Sequence, residues 1–573
     1  MNPSASTLSP HPGISKRRLS LFRFALCVLS GVMLGLSFPP SSLGILACFG
    51  LVPWLIVLAD IERTKRALWF TYVTFVTFHI ITLNWTGGYE HGNDCYMMIA
   101  GGLTMFLHPL FYFIPTSIFL YIRNSFGEKM ALSALPFLWV AYEFSHSLSE
   151  WSFPWLTIGN SQSYDLARMQ FIPATGIYGL SFWILLINVL AYMLYSNLAQ
   201  GKWRTFSGSA IMATLLLCGI YLAPKIHGEA VLADAPQYEN GGLTEDEKQI
   251  TVAIVQSNVD PWLKWTQRAT KTLELYLGMS RTLVRSSSQR PDLMLWPETA
   301  IPYRFLTPGF ESLLGYLRTN VDNIGVSVLT GFYHKETYRD SADAPPSAKR
   351  VPGSGERYDN FNAVAFIQPG TDDIPWYGKM KMVPFAERVP YADAFYLLDF
   401  LRWGVGIGGW QIGRDSTIFI ENRTGARFCV MICYESTYPA FVAAFVKKGA
   451  EFISIVTIDS WWGHMSGAYQ HQQFALFRAV ENRRWVARCA VGGISCFIDP
   501  FGRVYDRTEL FTQTTLSRTI GRSNELTLYS RYGDWLAIIC VFVAGMFFAA
   551  ALGLRFMKKH RRMHGNEADR FEE

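Results

Sequence analysis

The sequence predicts an α-helical membrane bundle of about eight transmembrane helices joined to an α/β domain, and three observations predict it. Half of the 573 residues are hydrophobic and only 17% are charged, where soluble proteins carry about a quarter. Eight apolar runs each approach the ~20 residues needed to cross ~30 Å of hydrocarbon. Between the seventh and eighth runs, short apolar strands alternate with helical stretches, which is the pattern of an α/β domain.

The runs fall near 20–38, 43–59, 67–85, 97–121, 130–147, 178–196, 206–223 and 534–555. The first has the basic front of a signal peptide. Its length, its Phe38-Pro39-Pro40 exit and the lack of a small-x-small site argue against cleavage. Short loops alternate in Lys and Arg, which sets orientation. Basic residues stand at Lys16, Arg17 and Arg18, at Arg63, Lys65 and Arg66, at Arg123 and Lys129, and at Lys202 and Arg204. The intervening loops hold almost none. The expected layout is a cytoplasmic tail (1–19), a seven-helix transmembrane domain (20–223), an extracytoplasmic domain (224–533), a final transmembrane helix (534–555) and a cytoplasmic basic tail (556–573).

In the outer loop, Phe153-Pro154-Trp155-Leu156 follows Trp151. It reads either as an interfacial aromatic anchor or as the border of a lipid-entry site. Glu143, near the outer end of a span, is either solvated at the interface or functional, because an unpaired acid in a membrane is costly.

In the α/β domain, 225–248 reads as a linker. Strands are expected at 250–256, 292–296, 324–330, 361–367, 416–420, 427–432, 452–458 and 494–499, with helices near 266–286, 309–320, 436–448 and 468–484. The polar stretch 335–357 reads as a loop. The formal charge of +6 sits largely in terminal clusters such as Lys558-Lys559-His560-Arg561-Arg562. No basic face with interleaved aromatics appears, so nucleic acid is not an expected partner. The nine cysteines form no C-x-x-C and no zinc-like cluster, so no metal or other cofactor is expected. A disulfide among Cys429, Cys489 and Cys496 stays open, with buried free thiols the simpler reading.

Three passages carry chemistry. Glu298 follows a buried strand in Trp296-Pro297-Glu298-Thr299-Ala300. Lys379 and Lys381 precede Glu387 in 377–387. Cys433 ends an apolar strand and precedes Tyr434-Glu435. Singly, each has an ordinary structural reading: a turn acid, a surface lysine, a core thiol. Together they supply a nucleophile, a base and a cation at the ends of buried elements, which suits covalent acyl transfer. A thiol needs a base or a positive field to become a thiolate, and a tetrahedral oxyanion needs donors aimed at it.

The motifs WPETA, KMKMVPFAE and CYES resemble those of the carbon–nitrogen hydrolase (nitrilase) superfamily, whose members use a Glu-Lys-Cys triad in an α-β-β-α sandwich. With seven spans before the domain and one after, the chain resembles the apolipoprotein N-acyltransferase family over roughly 20–555. The likeness includes Phe153-Pro154-Trp155, Val255-Gln256, Trp461-Trp462-Gly463, and His471 through Arg478-Ala479 and Glu481. It implies that Cys433 is the nucleophile and Glu298 the general base. Lys379 would stabilise the oxyanion with the amide of Tyr434, with Lys381 the competitor by spacing. Glu387 and Glu435 would support the site, and Trp265, Tyr434 and Trp155 would shape the pocket. The resemblance further implies a phospholipid acyl donor, a diacylglyceryl-modified apolipoprotein as acceptor, and a bacterial inner-membrane location with a periplasmic catalytic domain. The pattern departs at Ile458, Ala386 and Arg388, and at 490–493, which bears on the shape of the pocket.

Three other classes fit the sequence less well. A membrane-tethered amidase or nitrilase would use the same triad but has no need of seven spans. A decayed binding protein would lack one of the triad. A transporter is disfavoured, because the spans carry few ionisable residues, chiefly Glu143, His79 and His108.

Overall fold

The computed structural model describes residues 15–88, 90, 95–199, 208–238, 248–264, 269–340, 342–351, 353–391 and 409–568. Trp265 lies outside them.

Six helices among these residues are long and apolar enough to cross a membrane: Lys16–Leu36, Thr64–Leu83, Met97–Phe126, Ile177–Ala199, Ile211–Asp234 and Trp535–His560. The expected count of eight is thus approximate. The run at 43–59 is broken into a 3-10 segment, Gly44–Cys48, and a short helix, Val52–Ala59. Pro53 opens that helix, where its missing N–H costs nothing. The run at 130–147 forms Glu128–Ser147, which is of spanning length but carries Glu128, Lys129 and Glu143. Gly127, at φ +93°, turns the chain into it from Phe113–Phe126. Helix Gly208–Asp234 runs on past 223, so the stretch expected as a linker begins as helix.

The domain holds thirteen strands among the described residues. They are β1 (Gln249–Gln256), β2 (Leu293–Leu295), β3 (Ser327–Tyr338), β4 (Lys349–Arg350), β5 (Arg357–Ile367), β6 (Trp376–Gly378), β7 (Phe419–Ile420), β8 (Arg427–Ile432), β9 (Phe452–Thr457), β10 (Val486–Ala490), β11 (Cys496–Ile498), β12 (Val504–Tyr505) and β13 (Thr514–Gly521). One sheet runs β13-β1-β2-β3-β5-β4, with β6 on β5. The second runs β12-β11-β10-β9-β8-β7. The stretch expected as a loop at 335–357 is in part a hairpin, because β3 and β5 pair antiparallel out to Tyr338 and Arg357.

Side-chain alternation explains the layers. Val252, Ile254, Leu293, Leu295 and Leu329 share one core with Phe428, Val430, Ile453 and Val486 of the second sheet. Their neighbours Ala253, Val255, Met294 and Val328 pack instead with Leu273, Tyr276, Leu317 and Val321 of two helices, Ala269–Ser286 and Glu311–Ile324. Both faces of β1, β2 and the first half of β3 are covered, so these stretches are mostly apolar, and the half-exposed end of β3 turns polar from His334. Helix Ser466–Asn482 joins the domain to the bundle. Its Ala475 and Ala479 belong to the core between the sheets, while Phe474, Phe477 and Val480 belong to the membrane core.

Candidate active site

The ends of three strands bring the predicted side chains together. Glu298 lies just after β2, Lys379 directly follows β6, and Cys433 directly follows β8. Thr299 and Cys433 adopt left-handed backbone conformations, φ +45° and +52°, which cost a non-glycine residue about 1 kcal/mol or more. Gly331 on β3 permits the turn that carries Glu298: a Cβ there would meet the Thr299 amide nitrogen at 2.3 Å and the Pro297 oxygen at 2.4 Å.

Lys379 is fully buried between two carboxylates. Its Nζ donates to Glu387 Oε1 at 2.6 Å and lies 3.6 Å from Glu298 Oε1. Burial alone would lower its pKa, but Glu387 first, then Glu298, outweigh burial and raise it, so it remains an ammonium. Glu298 accepts from Asn362 Nδ2 at 2.6 Å and from the Ile458 amide at 3.1 Å. The bond from residue 458 uses the main chain, so an isoleucine there does not break it. Burial, reinforced by Glu298, pushes the Cys433 thiol well above its ordinary pKa, against the opposing pull of Lys379. The resting group is therefore a neutral thiol that needs a base to lose its proton.

Glu435 ties the lysine segment to the cysteine turn. Its Oε1 accepts from Tyr377 Oη at 2.6 Å, Met380 N at 2.6 Å and Lys381 N at 3.3 Å, and its Oε2 accepts from Ile432 N at 2.7 Å. Burial pushes its pKa up to about 7 despite those donors. Glu387 accepts from the Val383 amide at 2.8 Å through its second oxygen. Arg388 is buried and donates to Gln411 Oε1 at 3.0 Å and Trp410 O at 3.2 Å. Lys381, the competitor by spacing, instead sits 5.1 Å above the Tyr438 ring, away from the carboxylate pair.

The outer loop of the bundle is seated on this turn. Trp155 is buried, with its ring nearly parallel to that of Tyr434 (6.4 Å, 12°) and its Nε1 donating to Gln470 Oε1 at 2.7 Å. Tyr434 Oη donates to Ser152 O at 3.1 Å, and Ser152 Oγ pairs with Tyr438 Oη at 2.6 Å. The loop is therefore packed into protein and is not an interfacial anchor. Glu143 is likewise buried rather than solvated: its Oε1 accepts from Trp139 Nε1 at 3.0 Å and from the Ile158 amide at 2.8 Å, holding the chain after that loop.

Two contributors were not singled out from sequence. Asn362 is a polar residue within the apolar half of β5, and that interruption is its signal. Lys264 is buried and its Nζ donates to Thr299 Oγ1, the residue after Glu298. Burial pulls it down to about 7, against the pull of Glu298. No local pattern distinguishes it from a surface lysine. Cys429, Cys489 and Cys496 are buried and unbridged.

A glutamate, a lysine and a cysteine meeting at the end of a two-sheet sandwich define a carbon–nitrogen hydrolase domain, and the family model described as Carbon-nitrogen hydrolase matches residues 251–525. A second model, Apolipoprotein N-acyltransferase N-terminal domain, matches residues 30–190. The apolipoprotein N-acyltransferase of Chlorobaculum tepidum is 33% identical over 535 residues, covering 91% of this chain and 95% of that protein. That of Geobacter metallireducens is 28% identical over 550 residues, covering 94% and 96%. The chain belongs to the apolipoprotein N-acyltransferase family, and is a bacterial membrane acyltransferase.

Proposed function

We propose that the protein transfers an acyl chain from a membrane phospholipid to the α-amine of the N-terminal S-diacylglyceryl-cysteine of lipoproteins, through a thioester on Cys433. The observation that carries this reading is the meeting of Cys433, Glu298 and Lys379 directly beneath a loop of the membrane bundle, where Trp155 stacks on Tyr434.

Glu298 takes the proton from Cys433 Sγ as the sulfur attacks the ester carbonyl. The oxyanion that forms is stabilised by the Lys379 ammonium and by the Tyr434 amide. The intermediate collapses, the lysophospholipid oxygen takes the proton from Glu298, and the thioester remains. The lipoprotein amine then attacks, Glu298 accepts the amine's proton, and the Cys433 sulfur leaves and is reprotonated. Glu387 keeps Lys379 charged, and Glu435 holds the two segments in register. Between the steps water must be kept from the thioester while the amine is admitted. The buried aromatic contacts between loop and turn support that exclusion. Both substrates are lipids, so the site opens at the membrane surface. The loop charges support cytoplasmic termini and a periplasmic domain at residues 224–533 in the inner membrane.

The test is to purify the protein with phospholipid and examine the Cys433 peptide by mass spectrometry. An acyl adduct is expected, discharged by a diacylglyceryl-cysteine peptide into an N-acylated product. Absence of the adduct, or activity surviving Cys433→Ala, would overturn the mechanism. Discharge to water alone would point to an amidase-type hydrolase using the same three groups.

A further inference from the structure

Beneath the cysteine turn lies a polar cluster with no assigned role in the reaction. Ser436, Asp459, His471 and Arg488 are all buried, at 0% exposure. His471 Nε2 lies 3.1 Å from the carbonyl oxygen of Cys433 and 2.9 Å from Ser436 Oγ. Ser436 Oγ donates to the same carbonyl at 2.9 Å. On the other side of the ring, Nδ1 lies 3.1 Å from Arg488 Nη2 and 3.0 Å from Asp459 Oδ1. Arg488 is itself held by Asp459 at 2.9 Å.

These partners constrain the ring's protons. A carbonyl oxygen only accepts, so a proton on Nε2 makes the 3.1 Å contact a hydrogen bond. A neutral ring with its proton on Nε2 can accept from Arg488 at Nδ1. A charged ring donates to Asp459 at Nδ1 and keeps the Nε2 proton. Only a ring protonated on Nδ1 alone sets lone pairs against each other at the carbonyl.

We propose that His471, with Ser436, is a positioning residue that orients the amide of Tyr434 toward the acyl oxygen. A trans peptide unit is rigid and planar, with its C=O and N–H pointing in opposite directions. The Cys433 carbonyl and the Tyr434 amide belong to one such unit. Fixing the carbonyl against His471 and Ser436 therefore aims the amide the other way. Tyr434 lies in the first turn of the 3-10 segment Cys433–Thr437, where amides have no acceptor within the helix. The left-handed backbone of Cys433 is a conformation that persists only when its surroundings over-determine it, and the contacts to its carbonyl contribute to that. Asp459 and Arg488 hold the imidazole in place.

The inference rests on the thioester mechanism proposed above, and the experiment separates the two. Acylation by phospholipid needs the oxyanion donors, whereas alkylation of the thiol by iodoacetamide forms no oxyanion. Both rates are measured at Cys433 in the wild type and in His471→Leu, His471→Gln and Ser436→Ala. His471→Leu is expected to slow acylation by ~10²-fold, the scale for losing one oxyanion donor, with alkylation within ~3-fold of wild type. Gln can place an N–H near the Nε2 position, so His471→Gln is expected to restore acylation to within ~10-fold. Ser436→Ala removes one of two anchors and should fall between. Equal loss of both rates in all three variants, or undiminished acylation in His471→Leu and Ser436→Ala, overturns the positioning role. No adduct on the wild-type protein overturns the thioester mechanism instead.

Discussion

Replacing Glu435 by glutamine tests how the two halves of the site are held together. The carboxylate receives four donors, from Tyr377, Met380, Lys381 and Ile432. Met380 adjoins Lys379, and Ile432 adjoins Cys433. A glutamine keeps one oxygen for Tyr377 and Met380 but turns an NH2 toward the Ile432 amide. One buried N–H then loses its acceptor, at about 1–3 kcal/mol. Alanine would orphan several donors, and a domain with about 5–15 kcal/mol of net stability would tolerate that poorly, so Glu435→Gln is the informative variant. The expected result is a lower thermal midpoint and a folded protein. A shift of about 1 Å between Lys379 and Cys433 should slow single-turnover acylation by ~10²-fold. The assay is acyl-adduct formation on Cys433 by rapid quench and mass spectrometry, beside thermal unfolding in detergent. Unchanged acylation together with an unchanged midpoint would refute the idea that this carboxylate sets the register of the site.

Lys379→Met should slow acylation by ~10²–10³-fold and destabilise the domain by about 3–5 kcal/mol, because Glu298 and Glu387 lose their shared cation. Acylation within tenfold of wild type would exclude the lysine from oxyanion stabilisation. Trp155→Ala should cost about 3–5 kcal/mol and slow acylation, read by unfolding and adduct formation. A normal midpoint would mean the loop is not seated on Tyr434 in solution. Asp459 gives a pH signature. Burial would raise its pKa, but Arg488 and then His471 hold it down at about 2 from an ordinary 3.8. A lowered folded value stabilises above the unfolded pKa and loses that contribution as pH falls through about 2. The difference corresponds to about 2 kcal/mol. Asp459→Asn should flatten the fall in thermal midpoint between pH 4 and pH 2, and an unaltered slope would contradict the pairing.

The sequence by itself determined much of this protein, because some properties are local. Hydrocarbon thickness sets the length of a span, so most of the apolar runs marked membrane helices. Strands covered on both faces must be apolar throughout, so β1, β2, β8 and β9 were legible as unbroken runs. Strand β13, Thr-rich and half-exposed, carried no such signal and is defined by its pairing with β1. The seven apolar runs ahead of the domain also set an acyltransferase apart from a membrane-tethered amidase. Other properties depend on which residues meet. Lys379 and Lys381 are two positions apart, and spacing alone does not separate them, although the family resemblance favours Lys379. Folding buries the first between Glu298 and Glu387, and places the second over Tyr438. The Phe153-Pro154-Trp155 loop had two readings on the sequence, and the partner that decides between them, Tyr434, lies far along the chain. Asn362, Lys264 and the His471 cluster reach the site only through partners distant in sequence. The tertiary structure decided these because a buried charge or hydrogen bond is defined by its partners, and spacing along the chain does not specify them.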